Sequence, residues 1–567
     1  MANVSYGFNQ SRPRTQVFLD ASGLGTQNVN SEKPLVLIGS AHGGQPGVPI
    51  AVSSYAQAKR IFRSGDLLDA IEMAWNASTN VGGAGPIFAV RADGATQGTV
   101  TVGGLKFTSK LYGADANNVQ VQLVDNALTS SKTLTVYYQP DAYTKVYDNL
   151  GNIFTIQYTG AAASGTVEID VDATSHLATT LKLSTGTSGS EVLEKSYTLG
   201  SGVFADLNVL VNDIANLGDW TVVINTLGGN KNLQTQYLDA IVKTGCKASA
   251  VTVKAIGADI ANQTSVDPYI TVDPVWGTPV ANFAITNLAG ATTTVPAATW
   301  SNLFSAVSGL GAYYVVPLTS QQSLHGELAQ FLDDQAQQGN MMRGFVGGGL
   351  NETSAQLQAR QAGIRDSRVG LVGNSGKRTM SDGRVLNFQG YLYASMIAGI
   401  ASGLPVGEPI TYKHTNITAL DGSFLSDDLD QLNNAGVIMS EFVRTRNGSY
   451  FRIVSDPTTY NDVAEPVQNR ISLGEVSDFL SVDLRTLLDE QFIGGRLGNT
   501  SASIIKNAVE SYLDQQVIGG TIVSYDPSNV SVVINGNTAT INFTVQPAQG
   551  LDYINCFITY QQDTLSA

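Results

Sequence analysis

Hydrophobic residues recur along this chain in two rhythms, and the last hundred residues show both. Arg470–Glu490 and Thr500–Gln516 carry apolar residues at helical spacing, and the runs Thr521–Ser524, Val530–Ile534 and Thr538–Val545 follow them. In Thr538–Val545 polar and apolar residues alternate with period two, which predicts a strand with one apolar face. The pattern predicts one more strand, Tyr553–Tyr560, rich in β-branched and aromatic residues. Such a strand needs a sheet edge to pair with, in its own chain or in a neighbouring copy.

The remaining segments predict α/β units separated by a β-rich stretch. Residues 1–33 are polar and poorly periodic, read as an extended arm with one short strand at Thr15–Leu19, with a disordered terminus as the other reading. Residues 34–96 predict a first α/β part. Its strands are Pro34–Ile38 and Ile87–Arg91, and its helices are Ser53–Phe62, with Ser53 as N-cap, and Asp66–Asn76. Residues 97–245 predict a β-rich insertion, with strands at Val119–Val124, Leu134–Tyr138, Ile153–Tyr158, Ser196–Leu199 and Trp220–Ile224. Gly160–Gly165 and Ser184–Ser190 predict loops, and 246–300 reads as a second insertion or linker.

Residues 301–460 return to α/β. Strands at Tyr313–Pro317, Met342–Val346 and Val369–Val372 are separated by helices Gln321–Gln338 and Ser354–Ala362, which predicts parallel pairing through right-handed crossovers. An apolar helix Tyr391–Ala401, a short helix Leu429–Asn434 and a hairpin of Val437–Val443 with Ser449–Val454 around Arg446-Asn447-Gly448 complete this part. Residues 461–567 form a third, α+β unit.

At 567 residues the chain exceeds one core, and two to four domains are expected. Only 14% of residues are charged, while 58 are glycine, which suits an uncharged, turn-rich β surface. The net charge of −15 and the lack of a long Lys/Arg cluster argue against a direct nucleic-acid groove. Two cysteines, Cys246 and Cys556, build no disulfide framework or cysteine-rich metal site, so neither cofactor nor metal is expected. The start Met1-Ala-Asn-Val-Ser-Tyr lacks a signal-peptide order, and Ala394–Gly407 is too short and broken to span a bilayer.

Catalytic constellations are weak. A Ser-His-Asp triad would have to use His42, His176, His325 or His414. Gly373-Asn-Ser-Gly-Lys377 fails the nucleophile-elbow pattern, and Gly370–Arg378 misses the phosphate-loop spacing. His42 reads as a turn histidine. Asp170 and Asp172 read as one solvated strand face, and Asp427, Asp428 and Asp430 as acids at a helix N-terminus. No enzyme is expected.

The order of segments resembles a known family. The residues that carry the likeness begin with Pro34–Phe62, with its turn glycines Gly39, Gly43 and Gly44, Pro49 before a strand, and Ser53–Phe62. Gly82–Asp93, Ser109–Gly113 with Asn117–Gln122, Asn434–Val437, Phe451–Val454 and Thr458-Thr459 continue it, and the C-terminal helices and strands complete it. Together they resemble the contractile tail sheath proteins of myovirus-type phages. Ser64–Glu72, Tyr147–Thr155 and Asn499–Lys506 place the chain nearest to large lytic phages of Gram-positive hosts. Residues 160–300 carry less of the likeness.

The resemblance implies a subtilisin-like core without a triad. It implies a virion protein, assembled in the host cytoplasm as stacked hexameric rings around a tail tube. Contraction of that sheath would drive the tube through the host envelope. Its implied partners are further copies of itself, the tube protein, and baseplate and tail terminator proteins, with no direct nucleic acid and no membrane insertion. The sheath of a phage-tail-like bacteriocin or other contractile injection system is the alternative.

Two sets of residues are expected to make these contacts. Thr15, Val17, Phe18 and Leu19 of the arm, with Ile554, Phe557, Ile558 and Tyr560 of the last strand, would complete sheets in neighbouring C-terminal units. Lys506, Glu510 and Asp514 on one helix would face the tube, with a plain solvated helix face as the other reading.

Overall fold

A computed structural model describes residues 33–225, 232–276, 278–294, 300–422, 424–446, 448–462, 465, 467–494, 501–550 and 556–558. Its centre is a seven-stranded sheet. In chain order the strands are β1 (Leu35–Gly39), β2 (Ile50–Val52), β3 (Ile87–Arg91), β4 (Tyr314–Pro317), β5 (Arg343–Gly347), β6 (Val369–Val372) and β7 (Val437–Ile438). They lie in the order β2-β3-β1-β4-β5-β6-β7. Every pairing is parallel except β2 with β3.

A parallel sheet must be covered on both faces, so its strands read as unbroken apolar runs. Every residue of β1, β4, β5 and β6 is buried. Alternate residues serve opposite layers. Leu35 and Leu37 pack with helices α1 (Tyr55–Phe62), α2 (Asp66–Trp75) and the later α6, Gly390–Gly403. Val36 and Ile38 pack with α3 (Trp300–Val307), α4 (Gln322–Gln337), α5 (Ser354–Ile364) and the later α7, Ser426–Asn434.

Helix α6 is buried along almost its whole length, which fits its apolar composition on all sides. Glycine permits its close approach to α2, because a Cβ on Gly399 would stand 2.4 Å from the Ala74 carbonyl oxygen. Ser54 caps α1 by accepting from the Gln57 N–H, one residue after the expected Ser53. Ser53 instead donates its N–H and hydroxyl to the Gln57 side chain, so the two serines share the capping role.

Between β3 and α3 the chain builds two further cores, one nested in the other. The first unites Leu105, Phe107, Val119, Val121, Leu134 and Val136 with Ile260, Ile270 and Val272. The second holds Ile153, Ile156, Val167, Leu181, Tyr197, Leu210 and Val253. The chain leaves and re-enters the first core at one point, where Ala255 donates to the Gly151 carbonyl and Gly151 donates to Asp259. Val251–Lys254 pairs within the nested core, whereas Ile256–Gln263 and Ile270–Pro274 pack in the first. The cores therefore divide near 151 and 255, unlike the 97–245 and 246–300 segments read from composition.

Ser184–Ser190, expected as a loop, is mostly paired strand, because Thr185, Gly186 and Thr187 face Val192, Glu191 and Ser190 across a tight turn. Asp170 and Asp172 do not share a strand face. A bulge follows Asp170, which pairs with Lys182 at 2.5 Å, while Asp172 accepts two turn N–H groups.

After β7 the expected long strand Val437–Val443 breaks at Met439. Val437 and Ile438 stay in the core sheet, and β8 (Ser440–Thr445) forms the predicted hairpin with β9 (Gly448–Ile453). The long helix α8 (Ile471–Phe492) leads to a C-terminal unit of α9 (Ala502–Gly519), β10 (Ile522–Tyr525), β11 (Ser531–Asn535), β12 (Thr538–Asn542) and β13 (Val545–Pro547). The expected strand Thr538–Val545 changes partner midway. Its first part pairs with β11, and Val545 pairs with Tyr525 of β10.

Candidate assembly surface

Helix α8 belongs to two bodies. Its first half is buried against the starts of β4 and β5, and its second half packs Leu480, Leu484, Leu487, Leu488 and Phe492 into the C-terminal core with Val509, Leu513 and Ile522. At 1.5 Å per residue it is a strut about 33 Å long.

Buried charges fix its root. Glu475 accepts from Lys33 at 3.0 Å, from the Gly407 N–H at 3.0 Å and from the Tyr314 hydroxyl. One helical turn on, Asp478 accepts from Arg343 at 2.7 Å, Tyr313 at 2.9 Å and Arg368 at 3.2 Å. Lys33, Glu475, Arg343 and Asp478 are each at least 93% buried in their side chains. Burial and the adjacent carboxylates hold the Tyr313 and Tyr314 hydroxyls well above their ordinary value. Burial alone would lower Arg343, but Asp478 outweighs it and keeps the guanidinium charged.

Gly474 leaves the space for that guanidinium, since a Cβ there would meet Arg343 Nη2 at 2.2 Å. Sequence reading missed this network. Its signal was two acids, Glu475 and Asp478, three apart on the buried side of an otherwise apolar helix start.

The far end of the strut is open. Leu484, Leu488 and Phe492 of α8, Ile505 of α9 and Ile534, Ala539 and Ile541 of the β11–β12 hairpin line a groove of about 470 Å³. Among the described residues no third strand joins β11–β12 or β10–β13. Val523 and Val533 on these strands are exposed.

Of the residues expected to make inter-subunit contacts, Thr15, Val17, Phe18, Leu19, Ile554 and Tyr560 lie outside the described residues. Phe557 and Ile558 are 92% and 72% exposed and sit in no strand. Lys506, Glu510 and Asp514 share one side of α9, but each has a partner within the chain. Lys506 lies 3.6 Å from Glu510 and donates to the Pro527 carbonyl. Asp514 accepts from the Tyr525 hydroxyl at 2.7 Å. Burial, with Asp514 beside it, pushes that hydroxyl up to about 12.

The candidate catalytic groups do not converge. Ser375 accepts from the Asn351 N–H and lies 3.4 Å from Asp421, while His42 bonds Ser64 and His414 stacks on Tyr450. The phosphate-loop-like stretch runs from β6 into a second strand, Gly376–Thr379, and not into a helix. Asp428 does sit at the start of α7, where it accepts the Leu425 N–H.

His325 is buried on α4 with Nε2 2.8 Å from the Thr319 carbonyl, and burial pushes its imidazole down to about 4. Its folded value lies below the unfolded one, so the unfolded chain binds the proton first. The stability tied to neutral His325 is fully present above pH 6.5 and is lost as pH falls from there through about 4. The loss amounts to about 3 kcal/mol. The His325→Gln variant is expected to show a flatter fall in urea midpoint between pH 7.5 and 4.5 than the parent, and equal slopes would contradict this assignment.

No protein-family model matches the chain. It is 47% identical over 559 residues to a putative tail sheath protein of Enterococcus phage phiEF24C, covering 98% of each chain. It is 40% identical over 581 residues to the tail sheath protein of Staphylococcus phage Twort, again over 98% of each. Among solved structures, a sheath tail protein from Desulfitobacterium hafniense superposes with a TM-score of 0.54 at 14% identity, covering 94% of this chain and 96% of that one. The two share a mixed, sheet-rich α/β multidomain fold.

Proposed function

The chain belongs to the tail sheath proteins of bacteriophages, and on that premise we propose that it polymerises as stacked hexameric rings into a helical sheath around the tail tube. Contraction of the sheath drives the tube through the host envelope for genome ejection. The observation that carries the polymer is the C-terminal unit. It holds two two-stranded pairs that no described strand extends, and one of them, β11–β12, lines an apolar groove, a template for main-chain pairing with other copies.

In this reading Thr15–Leu19 of one copy and Tyr553–Tyr560 of another add to these pairs. Repetition of such a head-to-tail contact generates a helix when the rotation does not close. Main-chain ladders keep copies linked while the outer bodies rotate. The buried root of α8 supports this role, because it ties the exchanging unit to the α/β core by charges that are costly to separate.

The core is read as subtilisin-like in arrangement and non-catalytic. Parallel strands covered on both faces and the partners of Ser375 support that reading. The β-rich insertion is placed outward, towards solvent. Contraction uses no nucleotide: the extended sheath is a trapped state of higher free energy, and the contracted one buries more interface. Baseplate and terminator proteins close the two ends, and assembly takes place in the host cytoplasm. Relatives named from phages, at 47% and 40% identity, favour a phage tail over a bacteriocin or other injection system.

Sedimentation of the purified chain, alone and with tube protein, tests this function. Fast-sedimenting polymer is expected, and a monomer under both conditions would contradict it. On the tube side, the face of α9 bearing Lys506, Glu510 and Asp514 is the proposed contact. Lys506→Glu is expected to weaken tube binding by roughly tenfold, on the order of 1 kcal/mol. Unchanged co-sedimentation with the tube would remove α9 from that contact.

A further inference from the structure

The β8–β9 hairpin carries an aromatic and basic surface on a strongly acidic chain. With its neighbouring strand His414–Thr415 it forms a three-stranded sheet. Phe442 is 56% exposed and packs its ring 5.1 Å from Phe451. Tyr412, 52% exposed, lies under the Arg452 guanidinium at 3.8 Å, and Glu441 holds Arg452 in turn. His414 stacks on Tyr450 at 4.0 Å. These rings are therefore held in fixed positions before any partner arrives.

Towards the turn, Arg444 and Arg446 are exposed, and neither pairs with an acid of its own chain among the described residues. Unpaired arginines beside fixed aromatic rings are the composition of interface hot spots.

The chain also offers a complementary surface. At the start of α7, Leu425 is 70% exposed and Asp427 and Asp430 point to solvent, while Asp428 is occupied by its capping bond. The hairpin is rooted by Ile453 in one layer of the core, and α7 is rooted by Leu432 in the other. Two different surfaces with opposite charge and matching apolar centres suit a heterologous contact, in which each copy uses one surface towards each neighbour.

We propose that the β8–β9 hairpin docks on a second copy of this chain, with Arg444 and Arg446 against Asp427 and Asp430 and Phe442 against Leu425. The contact rests on the self-assembly reading above and adds a side-chain interface to the strand exchange.

Charge reversal tests it on the full-length chain. Arg444→Glu with Arg446→Glu, and separately Asp427→Lys with Asp430→Lys, are each expected to raise the concentration needed for assembly at least tenfold. The chain carrying all four changes is expected to return to within about threefold of the parent, because opposite charges meet again. All four positions lie on the surface, so circular dichroism should match the parent, with only a small fall in melting temperature from the lysines at the start of α7.

Unchanged assembly of the arginine variant would overturn the interface. So would failure of the four-change chain to recover, or loss of tube binding alone with assembly intact. A parent chain that does not assemble under any condition would instead contradict the self-assembly reading itself, and this interface with it.

Discussion

A chain lacking residues 1–20 is expected to fold, to stay monomeric and to form no tubes. The described residues, all of which lie after the deletion, already close four core clusters in the body of the molecule and one in the C-terminal unit. Lys33, the residue that ties the start of the described chain to Glu475, also lies beyond it. The melting temperature of the monomer should therefore match the parent. What the deletion removes is Thr15–Leu19, the segment proposed to add a strand to the C-terminal unit of a neighbour. If that proposal holds, a ladder of several main-chain hydrogen bonds goes with it at every junction, so assembly should be abolished and not merely weakened. Sedimentation and circular dichroism of the deleted chain check both halves, and normal tubes would remove the arm from the account.

Asp478→Ala is expected to cost about 3–5 kcal/mol of stability, because it strands a buried charge. Arg343 loses its 2.7 Å carboxylate partner in a site from which water is excluded, and Arg368 and Tyr313 lose theirs. The guanidinium cannot neutralise itself to escape. Urea unfolding of the monomer measures the effect. Removing both partners, as Arg343→Met with Asp478→Leu, should cost clearly less than the sum of the single changes. Strict additivity would mean that the network contributes nothing as a unit. The same root holds α8 to the sheet, so the Ala variant should also assemble poorly at temperatures where its monomer is still folded.

Much of the core was legible in the sequence because a buried parallel strand has few ways to be written. Val369–Val372 falls at the expected bounds, and Tyr314–Pro317 and Arg343–Gly347 fall within one residue of theirs. Apolar runs of four or five residues between amphipathic helices leave little ambiguity.

The misreadings share a cause: strand pairing that composition and local pattern do not reveal. Ser184–Ser190 reads as a Ser/Thr/Gly loop, yet its ends are held by ladder bonds across a tight turn. Val437–Val443 reads as one strand, yet Val437 and Ile438 pair with β6 and Ser440 onward pairs with β9. The nested core closes through Val251–Lys254, nearly a hundred residues after its partner Asn152–Tyr158, which no local pattern announces.

At the candidate site, the helices and short strands of the C-terminal unit were readable from periodicity. The carboxylates that fix α8 were not, because Glu475 and Asp478 look like ordinary helix-surface acids until Lys33, Arg343 and Arg368 are brought to them by the fold.

Copies of this chain are proposed to be joined by exchanged strands at the C-terminal unit. A cryo-electron microscopy map of tubes grown from the purified chain tests this most directly. Added strands are expected on β10–β13 and β11–β12, traceable to residues 15–19 of one neighbour and 553–560 of another. Tubes in which those two pairs remain two-stranded, or are extended only by segments of their own chain, would contradict it.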